Sequence, residues 1–81
     1  MKERDKQRLT GFRERLRNIR EAQGLSLRQL SYNCDVDYAK ISKLESDDKT
    51  NLNLTTLFEL ARGLKIHPKE LIDYEFDFME E

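Results

Sequence analysis

The stretch Ser26-Leu27-Arg28-Gln29-Leu30-Ser31-Tyr32-Asn33-Cys34-Asp35-Val36-Asp37-Tyr38-Ala39-Lys40-Ile41-Ser42-Lys43-Leu44-Glu45 decides the fold. It opens with a capping box: Ser26 can accept an unpaired amide of the first helical turn while Gln29, three residues on, reaches back to Ser26. Helix two therefore spans roughly 27–33, with Leu30 and Cys34 inward. Asp35-Val36 breaks the pattern, and Asp37 is placed to cap a third helix from Tyr38 to about Glu45, with Ile41 and Leu44 inward. Two short helices joined by a three- to four-residue turn form the arrangement that lays the second helix in a DNA major groove. Leu30 and Ile41 clamp the pair, Ser31 permits close approach and Val36 plugs the turn. Tyr38, Ala39, Ser42 and Lys43 remain as one outward stripe at i, i+1, i+4 and i+5.

Working outward, Phe12, Leu16, Ile19 and Ala22 recur at helical spacing until Gly24 offers a left-handed stop, so helix one is expected over roughly 11–23. Ser46 to Asn53 is polar and aperiodic and reads as a loop. Asn53 caps helix four, whose inward set is Leu54, Leu57, Leu60, Ala61 and Leu64; Gly63 weakens its last turn. His67-Pro68-Lys69-Glu70 starts a fifth helix with proline at its first position and His67 as the cap. Tyr74-Glu75-Phe76-Asp77-Phe78 alternates aromatic and acidic residues and reads as a strand, a docked tail or a frayed helix end. The expectation is an all-α, compact five-helix bundle: a basic leader (1–10), a helix-turn-helix domain (11–73) and an acidic aromatic tail (74–81).

Composition sets the limits. Eighty-one residues, 37% apolar and 38% charged, make one small domain without room for a large enzyme core. No apolar run approaches the roughly 20 residues of a membrane span, and no secretory signal is present, which points to the cytoplasm. Cys34, the single cysteine, has neither a disulfide partner nor metal-site companions and reads as a small buried side chain. The lone histidine and the scattered carboxylates form no catalytic set, and Gly11, Gly24 and Gly63 make no phosphate-cradling loop. Enzyme, metal, cofactor and small-molecule roles are therefore not expected.

The net charge of −1 taken alone argues against a polyanionic partner, but its distribution does not. Residues 1–43 carry eleven Lys/Arg against six Asp/Glu, and residues 44–81 carry four against ten. A basic half and an acidic half suit a module that turns one face to a polyanion.

Residues 16–72 resemble the helix-turn-helix domain of the Cro and lambda-repressor family. The resemblance rests on Leu16-Arg17-Asn18-Ile19-Arg20, Gly24-Leu25-Ser26, Leu30-Ser31, Val36, Ile41-Ser42-Lys43-Leu44-Glu45 and Leu57-Phe58-Glu59-Leu60-Ala61-Arg62-Gly63-Leu64. It implies bacterial or phage origin, a dimer on a two-fold-related operator, and an Arg20–Glu45 ion pair tying helix one to the recognition helix. The chain departs from the pattern at Leu27, where a glutamine often reaches a phosphate, at Asp35, where the turn usually has glycine and aspartate tolerates a left-handed backbone better than most residues but less well than glycine, and at Lys65, where glycine is preferred after helix four.

The expected function is a sequence-specific transcriptional regulator of the repressor kind, bound to double-stranded DNA as a homodimer. Tyr38, Ala39, Ser42 and Lys43 would read bases, and Arg28, Lys40, Lys49, Thr50 and Asn51 would meet phosphates. Leu71, Ile72, Tyr74, Phe76 and Phe78 are the dimerisation candidates. Alternatives are a protein-interaction module on the same scaffold, or an antitoxin or restriction-control type of regulator.

Overall fold

In the computed structural model, which describes residues 1–76, four α-helices precede a 3-10 helix: α1 Glu3–Ala22, α2 Leu27–Tyr32, α3 Tyr38–Ser46, α4 Leu54–Leu64, then Pro68–Ile72. No strand is present among the described residues. Each start has a local chemical cause. Ser26 accepts the Gln29 amide at 3.0 Å while Gln29 accepts the Ser26 amide at 2.7 Å. Asp37 caps α3 through the Lys40 amide at 2.8 Å, and Asn53 caps α4 through that of Thr56 at 2.9 Å. His67 Nδ1 accepts the Lys69 amide at 3.1 Å, and Glu70 completes a second capping box. These caps satisfy amides that have no partner within their own helix.

The core is Phe12, Leu16, Leu30, Val36, Ile41, Leu44, Leu57, Leu60, Ala61, Leu64 and Leu71, all buried. α2 packs on α3 and α4, α1 on α3, and the 3-10 helix closes the remaining side against α1 and α4. Leu27, the departure at the start of α2, turns its side chain onto this core. Cys34 is half-buried rather than fully buried; its burial raises the thiol above its ordinary value. Gly63 explains itself here, since a Cβ would lie 3.0 Å from both Cys34 Cβ and Leu30 Cδ1. The glycine lets α4 approach α2.

Five sequence expectations are corrected. First, α1 begins at Glu3, not near residue 11, so most of the basic leader is helical. Gly11 read as a boundary, yet it lies within the helix, and the Tyr74 ring crosses it there: a Cβ would stand 2.5 Å from Tyr74 Cε2. Second, the fifth element is a 3-10 helix of five residues. It is just long enough to seat Leu71 in the core before the chain turns at Asp73 and sends Tyr74 across α1.

Third, Asp35 does not take a left-handed backbone; among the described non-glycine residues only Lys65 does, with φ 57. The Asp35 amide instead donates to Glu59 Oε1 of α4 at 2.9 Å, so a tertiary contact holds the turn. Fourth, Leu54 is 63% exposed. It lies one turn ahead of Leu57 and borders an open apolar groove shared with Leu9, Leu52, Ile72 and Tyr74.

Fifth, the dimerisation candidates divide. Leu71 is fully buried in its own subunit. Tyr74 packs on Gly11 and donates its hydroxyl to the Arg8 carbonyl at 3.0 Å, which fixes Tyr74 against α1. Ile72 and Phe76 remain exposed, with Phe76 stacked on Tyr74 at 4.6 Å. Phe78 lies outside the described residues.

Candidate nucleic-acid interface

α3 shows two opposed faces. Ile41 and Leu44 point into the core with 0% and 1% exposure, while Tyr38, Ala39 and Lys43 are exposed and Ser42 is half-buried beside them. Three of the four residues of the outward stripe are open to solvent, so a duplex can reach it.

Two sets of bonds hold the helix. At its start, Asp37 supplies the cap already described. At its end, Glu45 is 5% exposed and faces Arg20, itself 9% exposed. Arg20 Nε and Nη2 donate to the two Glu45 carboxylate oxygens at 2.7 and 2.8 Å, and Nη1 donates to the Leu25 carbonyl at 2.7 Å. Arg17 Nη2 donates to the Glu45 carbonyl at 2.6 Å. The Glu45 carboxylate holds the Arg20 guanidinium above its ordinary value. Two arginines of α1 thus grip both the side chain and the backbone at the last turn of α3. A bidentate arginine–carboxylate pair resists rotation as well as separation, so the pitch of α3 is coupled to that of α1.

The loop after α3 is also organised. Asp47 Oδ1 accepts the Lys49 amide at 2.9 Å and Oδ2 the Thr50 hydroxyl at 3.0 Å. These two bonds, the amide first, hold the Asp47 carboxyl below its ordinary value. Lys40 Nζ donates to the Asn51 carbonyl at 3.1 Å, drawing the loop toward α3. An ammonium has three donors, so two stay available. A shallow polar cleft results, lined by Asp37, Ala39, Lys40, Lys43, Thr50 and Asn51.

Five of the sequence-derived site residues therefore share one surface: Ala39, Lys40, Lys43, Thr50 and Asn51. Arg28 lies apart from that cleft, with its guanidinium over the Tyr38 ring at 4.7 Å from the centroid. Arg17 and Asp47 are positioning residues that the sequence reading did not single out. Asp47 had a local signal, since an aspartate followed two and three residues later by an amide and a hydroxyl favours a side-chain-bonded turn. Arg17 had none, because its partner is a distant carbonyl.

A capped, outward recognition helix set on a second short helix, with cationic and amide groups at its flank, defines a helix-turn-helix DNA-binding transcriptional regulator. The chain belongs to the helix-turn-helix family, of the Cro and C1 type, with the family pattern matching residues 16–71. Its fold is similar to the crystal structure of the restriction-modification controller protein C.AhdI from Aeromonas hydrophila. The two share 35% identity at a TM-score of 0.72 over 78% of this chain and 94% of that one. No curated protein matches this sequence. No helix among the described residues is long and apolar enough to cross a membrane.

Proposed function

We propose that this chain is a sequence-specific regulator of the repressor kind that acts in the cytoplasm as a homodimer on a two-fold-related operator. Tyr38, Ala39, Ser42 and Lys43 of α3 face base edges in the major groove, and Lys40, Lys49, Thr50 and Asn51 meet the flanking phosphates. The observation that carries this reading is the open outward stripe on a helix held by the Asp37 cap and the buried Arg20–Glu45 pair. Lys43 can donate to guanine O6 and N7, and Ala39 can lie against a thymine methyl. Within this class, the likeness to a restriction-modification controller protein supports a restriction-control type of regulator.

One such module makes too few contacts for tight selective binding, so two copies would span half-sites about 34 Å apart. Among the described residues, apolar side chains available for pairing include Leu54, Phe58, Ile72 and Phe76, between 38% and 63% exposed. Leu54 and Phe58 lie one turn apart on α4, and Leu54 shares its groove with Ile72. Replacing Phe58 with Lys spares the core and should yield a monomer by sedimentation.

Selection from random duplexes tests the whole reading, and a palindromic winner is the expected result. Affinity for that winner should fall by orders of magnitude between about 50 and 200 mM salt. Lys43→Ala should relax preference at one position by about 1 to 3 kcal/mol. A salt-insensitive interaction, or a Lys43→Ala variant with unchanged base preference, would refute it.

A further inference from the structure

The sequence places Arg28 among the phosphate-binding residues, but its geometry fits a different task. Arg28 is in the first turn of α2 and Tyr38 is the first residue of α3. The guanidinium carbon stands over the Tyr38 ring, 4.7 Å from its centroid. Among the described residues Arg28 takes part in no salt bridge. The contact joins the two helices and puts the charge at the leading end of the outward stripe.

We propose that Arg28 and Tyr38 form one reading unit, in which the tyrosine ring is a platform and the guanidinium fork reads a guanine at the end of the half-site opposite Lys43. The proposal rests on the DNA-binding reading above and names a specificity residue within it. A guanidinium over a ring is held by attraction to the π face rather than by a hydrogen bond to the hydroxyl, and its N–H donors all lie in its own plane. The in-plane fork therefore stays free, and two parallel donors match the O6 and N7 acceptors of guanine in the major groove. The ring also holds a long side chain in one place before DNA arrives, which reduces the freedom lost on binding. A point charge meant only for phosphate requires no such platform.

The geometry also sets a register. Lys43 is five residues beyond Tyr38, about 7.5 Å along the helix axis. That equals roughly two base-pair steps of about 3.4 Å. The guanine read by Arg28 should lie at least two base pairs from the position read by Lys43.

The test uses the full chain and the duplex it selects. Arg28→Ala should weaken binding to that duplex by about 5- to 150-fold and flatten preference at one base pair per half-site, with the salt slope unchanged. Arg28→Lys keeps the charge but not the fork and should fail to restore the preference. Tyr38→Phe keeps the ring and should keep the preference at that base pair even where overall affinity drops, Tyr38→Ala should flatten it as Arg28→Ala does, and the Arg28→Ala/Tyr38→Ala double variant should flatten it no further than either single. Circular dichroism of each variant checks that the helices persist.

A phosphate role would give a different pattern: uniform loss across sequences, a salt slope smaller by about one, and rescue by Arg28→Lys. That pattern overturns the proposal. So does a Tyr38→Phe variant that flattens preference at that base pair as far as Tyr38→Ala does, since the hydroxyl would then be the reader. If the parent chain enriches no duplex, the DNA-binding reading itself falls and this assignment with it.

Discussion

Replacing Glu45 with Ala removes the acceptor of a buried arginine. Arg20 then keeps only its bond to the Leu25 carbonyl, while Nε and Nη2 lose partners at 2.7 and 2.8 Å. Taking one member from a buried pair costs about 3 to 5 kcal/mol. The domain is only 22 by 21 Å in cross-section, so the stranded guanidinium lies near water and the low end applies, about 3 kcal/mol. A chain of this length has a total stability of about 4 to 12 kcal/mol. The loss is therefore a large share of it and should lower the melting temperature by about 12 to 24 °C.

Thermal melts and urea titrations of Glu45→Ala, Arg20→Met and the pair Arg20→Met/Glu45→Leu form the assay. The double variant should be more stable than either single, because two well-packed apolar side chains leave no buried charge behind. Operator binding by Glu45→Ala, measured well below its melting point, should also weaken as α3 loses its tie to α1. A single-variant cost under about 1 kcal/mol, or strictly additive losses, would refute the view that this pair holds the recognition helix.

Other expectations follow from single contacts. Lys65 ends α4 with a left-handed backbone at φ 57 and ψ 42, so Lys65→Gly should gain about 1 kcal/mol in urea denaturation; no change would remove strain from the account. Gly11→Ala would normally favour a helix by up to about 1 kcal/mol. Here it should cost about 1 to 3 kcal/mol, because the new methyl meets Tyr74; recovery in a Gly11→Ala/Tyr74→Ala double variant checks the cause. Glu59 has its carboxyl held below the ordinary value, first by Arg62 and then by the Asp35 amide. Its contribution is present above the unfolded-state value and is lost as pH falls through the lower folded-state value. Glu59→Gln should therefore shrink the stability lost between about pH 5 and 3, and an unchanged acid slope would contradict this.

The caps and the core stripe were legible in the linear chain because their causes are local. Ser26–Gln29, Asp37–Lys40, Asn53–Thr56 and His67–Glu70 close bonds over three residues, and Leu30, Ile41, Leu44, Leu57 and Leu60 keep helical spacing. Side-chain period and nearby bonds require no knowledge of distant elements. Gly11 and Leu54 were misread for the opposite reason, and the partners of Asp35 and Arg28 had no local signal. Gly11 reads as a boundary until Tyr74 arrives from the far end of the chain to occupy the space its missing Cβ leaves. The turn at Asp35, where glycine is usual, is held by a carboxylate from α4. Leu54 fits an apolar repeat, but no neighbour covers that turn. Arg28 and Tyr38, ten residues apart, meet only when α2 and α3 cross. Packing between elements distant in sequence settles which surfaces are covered and which charges find a platform, and no local periodicity encodes it.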